Sequence, residues 1–346
     1  MTKFSPLSDP ASSGDEHIIK QKIYSTFNGK ESSKSLPRLC LDLLSEQKRT
    51  WQDLQEGYEL LKEVRERDIS CNGFSVRLQY NPGRMKSSTA DVREREVKGR
   101  PCFLCLKHLP EGQKGILHRS EYLILCNPMP VFSSHLTVAH IDHRLQSISE
   151  NIDALLQLMV DFGLGWKLLY NGPKCGASAP DHLHFQAVPS GKMPIEKEME
   201  ETRRLTLLRQ VEGIPLILLR DVGREVVMLQ GDNPSKVGTA FNKFLSALKK
   251  VLLIDEEPMM NIVGSYSEKK WRVVIFFRRK HRPDIFFKEG DERVVVSPGV
   301  IDMGGILITP VVKDFERLDA AAVESIYREV SLEGRIVEKA ISTMVE

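Results

Sequence analysis

The sequence predicts an α+β protein, with strands and helices intermixed through short antiparallel-type links and not strung into a βαβ array. Three observations carry that expectation. Runs of β-branched and aromatic residues recur along the chain, as at 73–80 (GFSVRLQY), 122–126 (YLILC) and 271–277 (WRVVIFF). Apolar residues at helical spacing fill stretches such as 148–170 and 236–252. Turn signals such as Asn81-Pro82-Gly83 close several of the strand runs.

Residues 1–36 are rich in Ser, Gly and Lys and read as a flexible tail. From 36 to 69, Leu39, Leu41, Leu43, Leu44, Trp51, Leu54, Leu60, Leu61 and Val64 recur at roughly helical spacing, which predicts one or two amphipathic helices. Residues 73–80 alternate as a strand does, and a charged stretch at 91–100 leads into Cys102. The runs at 122–126 and 135–141 predict a hairpin across a Pro-containing loop. Ile152, Leu155, Leu156, Met159, Val160, Leu164 and Leu168 predict a long helix over 148–170, weakened near its end by Gly163 and Gly165. A Gly-containing loop precedes a strand at 182–188. After a charged segment at 196–204, strands are expected at 214–219, 225–229, 271–277 and 305–310, and helices at 236–252 and 318–345. The chain thus divides into a tail (1–36), an N-terminal half (37–195) and a C-terminal half (196–346).

With 41% hydrophobic residues, the 346-residue chain has enough apolar content to bury a core. Lys and Arg total 49 against 47 for Asp and Glu, so no global charge excess points to nucleic acid or a membrane surface. Anion binding therefore has to be local. The polar start resembles no signal peptide, and no apolar run reaches the ~18 residues of a membrane span. Six cysteines without a disulfide-like spacing fit a reduced, cytoplasmic protein.

Chemistry concentrates at His182, His184 and Gln186. On a strand their period of two puts all three on one face, with Leu183, Phe185 and Ala187 turned to the core. Upstream, Gly176-Ala177-Ser178-Ala179-Pro180 forms a loop whose backbone can approach a ligand and whose N–H groups and Ser178 can hold phosphate oxygens. Imidazole can attack phosphorus and form a nucleotidyl-histidine, provided its other nitrogen has an acceptor that fixes the tautomer. A neutral Gln can donate to the phosphoryl oxygen without adding charge. The plainer alternative is two half-exposed histidines on a strand.

Residues 100–190 resemble the histidine-triad (HIT-like) superfamily, in the branch with Gln at the third position. That branch holds the galactose-1-phosphate uridylyltransferases, the diadenosine tetraphosphate phosphorylases and the GDP-L-galactose phosphorylases. The string from Gly176 to Gln186 is most similar to the last of these, with three residues between Ser178 and His182. The resemblance implies two HIT-like halves, the second degenerate. It implies that His184 is the nucleophile, that Gln186 contacts the phosphoryl group, and that Ser178 and Asn171 support the phosphates. Asn127-Pro128 with Pro130 and His135 resembles the hairpin that frames the nucleotide, and 271–279 and 297–310 resemble the C-terminal half of the phosphorylases. The implied activity is a nucleotidyltransferase or phosphorylase. Its substrate is a nucleoside diphosphate sugar, GDP-sugars included, or a dinucleoside polyphosphate, with phosphate or a sugar phosphate as acceptor. A HIT-type hydrolase and a non-catalytic nucleotide-binding protein are the alternatives, and the family often forms homodimers.

Cys102-Phe103-Leu104-Cys105 has metal-chelate spacing and calls for two further ligands. His143 and His182 match positions where the uridylyltransferases place zinc ligands. His108 and His118 are nearer competitors, and a pair of buried thiols is the alternative to zinc. The run Arg278 to Arg282 is either a solvated loop or a phosphate contact. Arg77, Asn81 and Arg84 beside the Asn-Pro-Gly turn are similar candidates, and Arg77, Arg84, Gly176, Asn127 and Arg278 complete the expected substrate-binding set.

Overall fold

An eleven-stranded sheet, antiparallel except at one edge, spans the protein in a computed structural model that describes residues 21–89 and 100–344. Its strands are β1 (Ile23–Phe27), β4 (Gly115–His118), β5 (Tyr122–Cys126), β6 (Leu136–His140), β7 (Trp166–Asn171), β8 (His184–Pro189), β9 (Leu205–Val211), β10 (Ile214–Leu219), β11 (Val226–Gly231), β12 (Met260–Ser267) and β13 (Lys270–Phe277). A second sheet holds β2 (Arg65–Ser70), β3 (Ser75–Tyr80) and β14 (Ile306–Thr309). Six helices among the described residues have nine residues or more: α1 (Leu36–Thr50), α2 (Gln52–Leu60), α3 (Ile152–Phe162), α4 (Pro234–Leu252), α5 (Ala320–Val330) and α6 (Gly334–Ser342). None is long and apolar enough to cross a membrane.

The order of elements repeats. Three strands, a helix and two strands occur as β4-β5-β6-α3-β7-β8 and again as β9-β10-β11-α4-β12-β13. In space the halves read β4-β5-β6-β8-β7 and β12-β13-β11-β10-β9, joined by antiparallel pairing of β7 with β12, where Asn171 stands opposite Asn261. This is the expected α+β architecture of two like halves.

Local chemistry explains the elements. In α1, Leu36, Leu39, Cys40, Leu43 and Leu44 recur at i, i+3, i+4, i+7 and i+8, and all are buried. Pro37 sits in the first turn, where its missing N–H costs no hydrogen bond, and Lys48 and Arg49 complement the last carbonyls. Asn233 caps α4 by accepting from the Lys236 N–H. On one face of the large sheet, α1, α3 and α4 cover a core containing Phe162, Phe185, Phe241, Phe244 and Ile275. On the other, α5 and the small sheet cover Val188, Val263, Val274 and Phe276 with Leu78, Leu307 and Tyr327. At ~25 cal/mol per Å² of apolar surface removed from water, these two cores dominate stability.

Several expectations change. The helix expected over 148–170 ends at Phe162, because Gly163 takes a positive φ of 63°. Residues Trp166–Asn171 then form the buried strand β7. Ile23–Phe27, expected in a flexible tail, pairs in parallel with β4 at the sheet edge. The 36–69 stretch ends in β2, and 318–345 breaks into α5 and α6 around Ser331, whose backbone bridges to Arg278. β9 and β12 were not expected: β9 is a half-exposed edge, and β12 (MNIVGSYS) mixes small polar and apolar residues without a clear period. The charged stretch at 91–99 lies outside the described residues.

Candidate functional site

β8 lies between β6 and β7, with Ala139 opposite His184 and both Thr137 and Leu169 opposite Gln186. Alternation sends Leu183, Phe185 and Ala187 into the core and turns His184 and Gln186 to the other face. Gln146 clamps the start of the strand. Its Oε1 accepts the His184 N–H at 2.8 Å, and its Nε2 donates to the carbonyls of Asn171 (2.8 Å) and His184 (3.1 Å).

His184 Nδ1 lies 2.8 Å from the His182 carbonyl, which can only accept. That bond puts the proton on Nδ1 and leaves Nε2 with a lone pair, in a residue that lines a cleft. Burial lowers the His184 pKa to about 4, so the ring is neutral near pH 7. Gln186 lines the same cleft, and its Oε1 sits 2.7 Å from His135 Nε2.

The cleft also brings together Ser178, Gly176, Asn171, Asn127 and Arg84 from the expected set. Gly176 has a φ of +93°, and a Cβ there would stand 2.7 Å from the Gly299 Cα. Only glycine suits that approach. Asn171 Oδ1 accepts from Asn261 Nδ2 and from the Val300 N–H, both at 2.7 Å, so it also joins the two halves. Asn127 Oδ1 accepts the Met129 N–H at 2.9 Å, and Arg84 Nη1 donates to the Met129 carbonyl at 2.9 Å. Asn81 is buried and its Nδ2 bonds Gln79 and the Pro130 carbonyl at 3.3 Å, so it braces the hairpin loop.

Three expected contacts fall elsewhere. Arg77 lies outside the cleft, in the small sheet, 3.5 Å from Asp68 and 3.7 Å from Glu66. Arg278 is buried and donates to Asn261 Oδ1 (2.6 Å) and to the carbonyls of Pro298 (2.8 Å), Lys280 (3.2 Å) and His281 (2.9 Å), so it braces the wall behind the cleft. His182 precedes the strand in a turn closed by its N–H to the Ala179 carbonyl, and its ring is fully buried away from the cleft. Its link to His184 is its own carbonyl.

The C-terminal half contributes residues that pattern reading did not assign. Ser297 Oγ accepts from Arg282 Nε at 2.9 Å and lies 3.1 Å from His281 Nε2. Burial, followed by the charges of Arg282 and Arg278, lowers His281 to about 3, so it is a neutral group beside two cations. Asp302 accepts the N–H groups of Gly299 and Ile308, each at 2.9 Å, while burial raises its pKa to about 6. Only the basic run at 278–282 signalled any of this, and within it Arg282 and His281 reach the cleft while Arg278 does not.

Beside the cleft, Cys102, Cys105, His143 and His182 converge with their donor atoms within 4.8 Å of one another. Cys102 Sγ lies 3.2 Å from His182 Nδ1, and Cys105 Sγ lies 3.2 Å from His143 Nδ1 and 3.7 Å from His182 Nδ1. A tetrahedral zinc with sulfur at about 2.3 Å and nitrogen at about 2.0 Å spaces its ligand atoms by roughly 3.3–3.8 Å. His182 Nε2 is 2.7 Å from the His140 carbonyl, which leaves Nδ1 as the donor facing the thiols. Burial and the neighbouring Cys102 push the Cys105 thiol up to about 11, so a cation is what would hold that group as a thiolate. The donor set fits a metal. His108 instead meets the Cys102 carbonyl and His118 the Asp161 carboxylate, so neither competitor joins the group.

Residues 43–189 match a family model described as a domain of unknown function, DUF4922. No curated protein sequence matches the chain. Among solved structures, the chain is similar to yeast Ap4A phosphorylase Apa2, at 13% identity over 81% of this chain and 94% of that one, with a TM-score of 0.52. The same yeast enzyme in complex with AMP (14% identity, 84% and 96% covered, TM-score 0.51) and with Ap4A (12%, 82% and 97%, 0.50) is similarly alike. The chain thus shares its α+β fold with that phosphorylase.

Proposed function

We propose that the chain is a nucleotidyltransferase of the phosphorylase type that works through a covalent nucleotidyl-histidine at His184. The observation that carries this reading is the His184 tautomer: Nδ1 is committed to the His182 carbonyl, and the neutral ring presents Nε2 in a cleft. A similar fold in an enzyme described as an Ap4A phosphorylase supports the substrate class.

Nε2 attacks the α-phosphorus of a nucleoside diphosphate sugar or dinucleoside polyphosphate. An N–P bond forms, and the P–O bond to the sugar phosphate or distal phosphates breaks, its electron pair leaving with the oxygen. The His182 carbonyl stabilises positive charge on the ring, as an acceptor fixed before reaction. An oxygen of inorganic phosphate or a sugar phosphate then attacks the same phosphorus and returns His184 to its neutral state. Arg84 and Arg282 supply the cleft's positive charge, with Ser178 and the Gly176 backbone near the triad strand. We assign the catalytic half to residues 37–195 and the wall-forming half to 196–346.

In this reading Cys102, Cys105, His143 and His182 hold zinc, which ties residues 102–105 to the approach of the catalytic strand and supplies no chemistry to the phosphoryl group. Thiolate ligation is favoured in a reducing compartment such as the cytoplasm. Metal analysis of purified protein should find about one zinc per chain, falling well below that in Cys102→Ser, with a lower melting temperature. A metal-free parent that keeps its melting temperature in chelator would remove zinc from this picture. The activity is tested by incubating the protein with α-labelled nucleotide sugars and dinucleotides, with and without phosphate. Expected are an acid-labile label on the protein and phosphate-dependent release of nucleoside diphosphate. Hydrolysis alone, with no phosphate dependence, would replace this reading with the hydrolase.

A further inference from the structure

The transferase reading needs Gln186 to donate toward the phosphoryl oxygen, yet a glutamine amide can present either its oxygen or its nitrogen. The bonds around His135 decide which. His135 is 1% exposed, at the mouth of the β5–β6 hairpin, where its carbonyl also accepts the Asn127 N–H. The Val131 N–H donates to His135 Nδ1 at 3.1 Å. A backbone N–H can only donate, so Nδ1 carries no proton. In a neutral imidazole the proton is then on Nε2, which points at the Gln186 amide at 2.7 Å. An N–H donor there demands the oxygen of the amide and turns the NH₂ group away. Deep burial disfavours a protonated ring, the Gln186 bond opposes it only in part, and the nearby Arg84 charge adds a smaller push in the same direction as burial. The Phe132 ring (6.4 Å away) and the Tyr58 hydroxyl also lie against it, and neither is a carboxylate that would charge it.

We propose that His135 is a positioning residue that locks the Gln186 amide with its NH₂ group facing the phosphoryl oxygen and its oxygen facing away. This rests on the transferase reading of the cleft. Its chemical sense is direct: a flipped amide would set a carbonyl dipole against an anionic transition state, whereas the locked amide is a neutral donor that needs no reorganisation. Strand register makes the contact possible, since Gln186 pairs with Thr137, two residues beyond His135.

The test separates the donor from the fold. His135→Asn can still accept from the Val131 N–H but cannot reach Gln186, and it should lower kcat about 10- to 100-fold with KM changed less than about threefold. His135→Gln places an amide N–H near the lost Nε2 and should recover to within about fivefold of the parent. In a Gln186→Ala background, His135→Asn should cost almost nothing further, as expected for two residues acting through one hydrogen bond. Full additivity of the two losses, or a loss confined to KM, overturns the assignment. Independently of turnover, ¹⁵N spectra of the resting protein should show the His135 proton on Nε2. A proton on Nδ1 overturns this inference and leaves the transferase reading standing. A parent with the Nε2 proton and no turnover on any nucleotide sinks the transferase reading, and with it the role of the locked amide.

Discussion

β8 and β13 hold equivalent places in the two halves of the sheet, and their side chains on one face differ in kind. β8 presents His184 and Gln186 to a cleft. On the same face β13 presents Val274 and Phe276, both essentially unexposed and packed with Met228, Ile326 and Tyr327. Helix α5 covers β13 there. Over β8 the corresponding space is bounded by loops carrying His281, Arg282 and Ser297 and by a short helical turn carrying Asp302, all from the other half. One repeat keeps the open face and the other has closed its own to become a wall. Pairing two like sheets thus produces a walled site from a face that would otherwise be flat.

The largest expected effect breaks this comparison at its reactive end. His184→Asn keeps an amide near the Nδ1 position, so the bond to the His182 carbonyl can survive while the nucleophilic Nε2 is lost. Turnover should fall by about 10⁴-fold or more, with the urea midpoint within about 0.5 M of the parent. A variant keeping a tenth of the parent rate would move the nucleophile elsewhere. The mirror change in the second half is Phe276→Ala. Removing a fully buried ring should cost about 3–5 kcal/mol of unfolding free energy. The fraction still folded at low temperature should turn over within about threefold of the parent rate. A specific loss of kcat without a loss of stability would mean that β13 takes part in the chemistry.

Much of this contrast was legible in the residues because it is local. Period-two alternation at 182–188 exposes the triad strand, the C-x-x-C spacing marks the thiol pair, and Tyr122–Cys126 announces a central strand. The misreadings came from tertiary context. β7 has the apolar spacing of a helix, and Gly163 is what ends the helix before it. His182 lies in step with His184 in sequence, but the turn at Ala179 directs its ring to the thiols. Gln146, Asp302 and the His135–Gln186 bond join segments far apart in the chain, and no spacing rule reports such pairs. In the basic run, Arg278 goes inward to Asn261 while Arg282 reaches the cleft. Composition treats the two alike.

The smallest expected effect sharpens the boundary of the site, through two arginines that sequence proximity to one turn made equal candidates. On β3, Arg77 stands between Val76 and Leu78, both fully buried, so alternation turns it to the outer face of the small sheet. There its side chain is 38% exposed and pairs loosely with Glu66 and Asp68, an arrangement worth at most about 1 kcal/mol. Arg84 follows the turn, braces the Met129 carbonyl and lines the cleft, where burial lowers its pKa and Asp302 supports its charge. Arg84→Ala removes a cation from the proposed phosphate site and should lower kcat/KM about 10- to 100-fold, about 1.4–2.7 kcal/mol of transition-state binding. Arg77→Ala should change kcat/KM less than about twofold and stability by under about 1 kcal/mol. The decisive measurement is the ratio of the two kcat/KM losses across a series of substrates of increasing length. If Arg77→Ala becomes as costly as Arg84→Ala on the longer substrates, the ligand extends over the outer face of the small sheet. The wall supplied by the second half would then bound only part of the site.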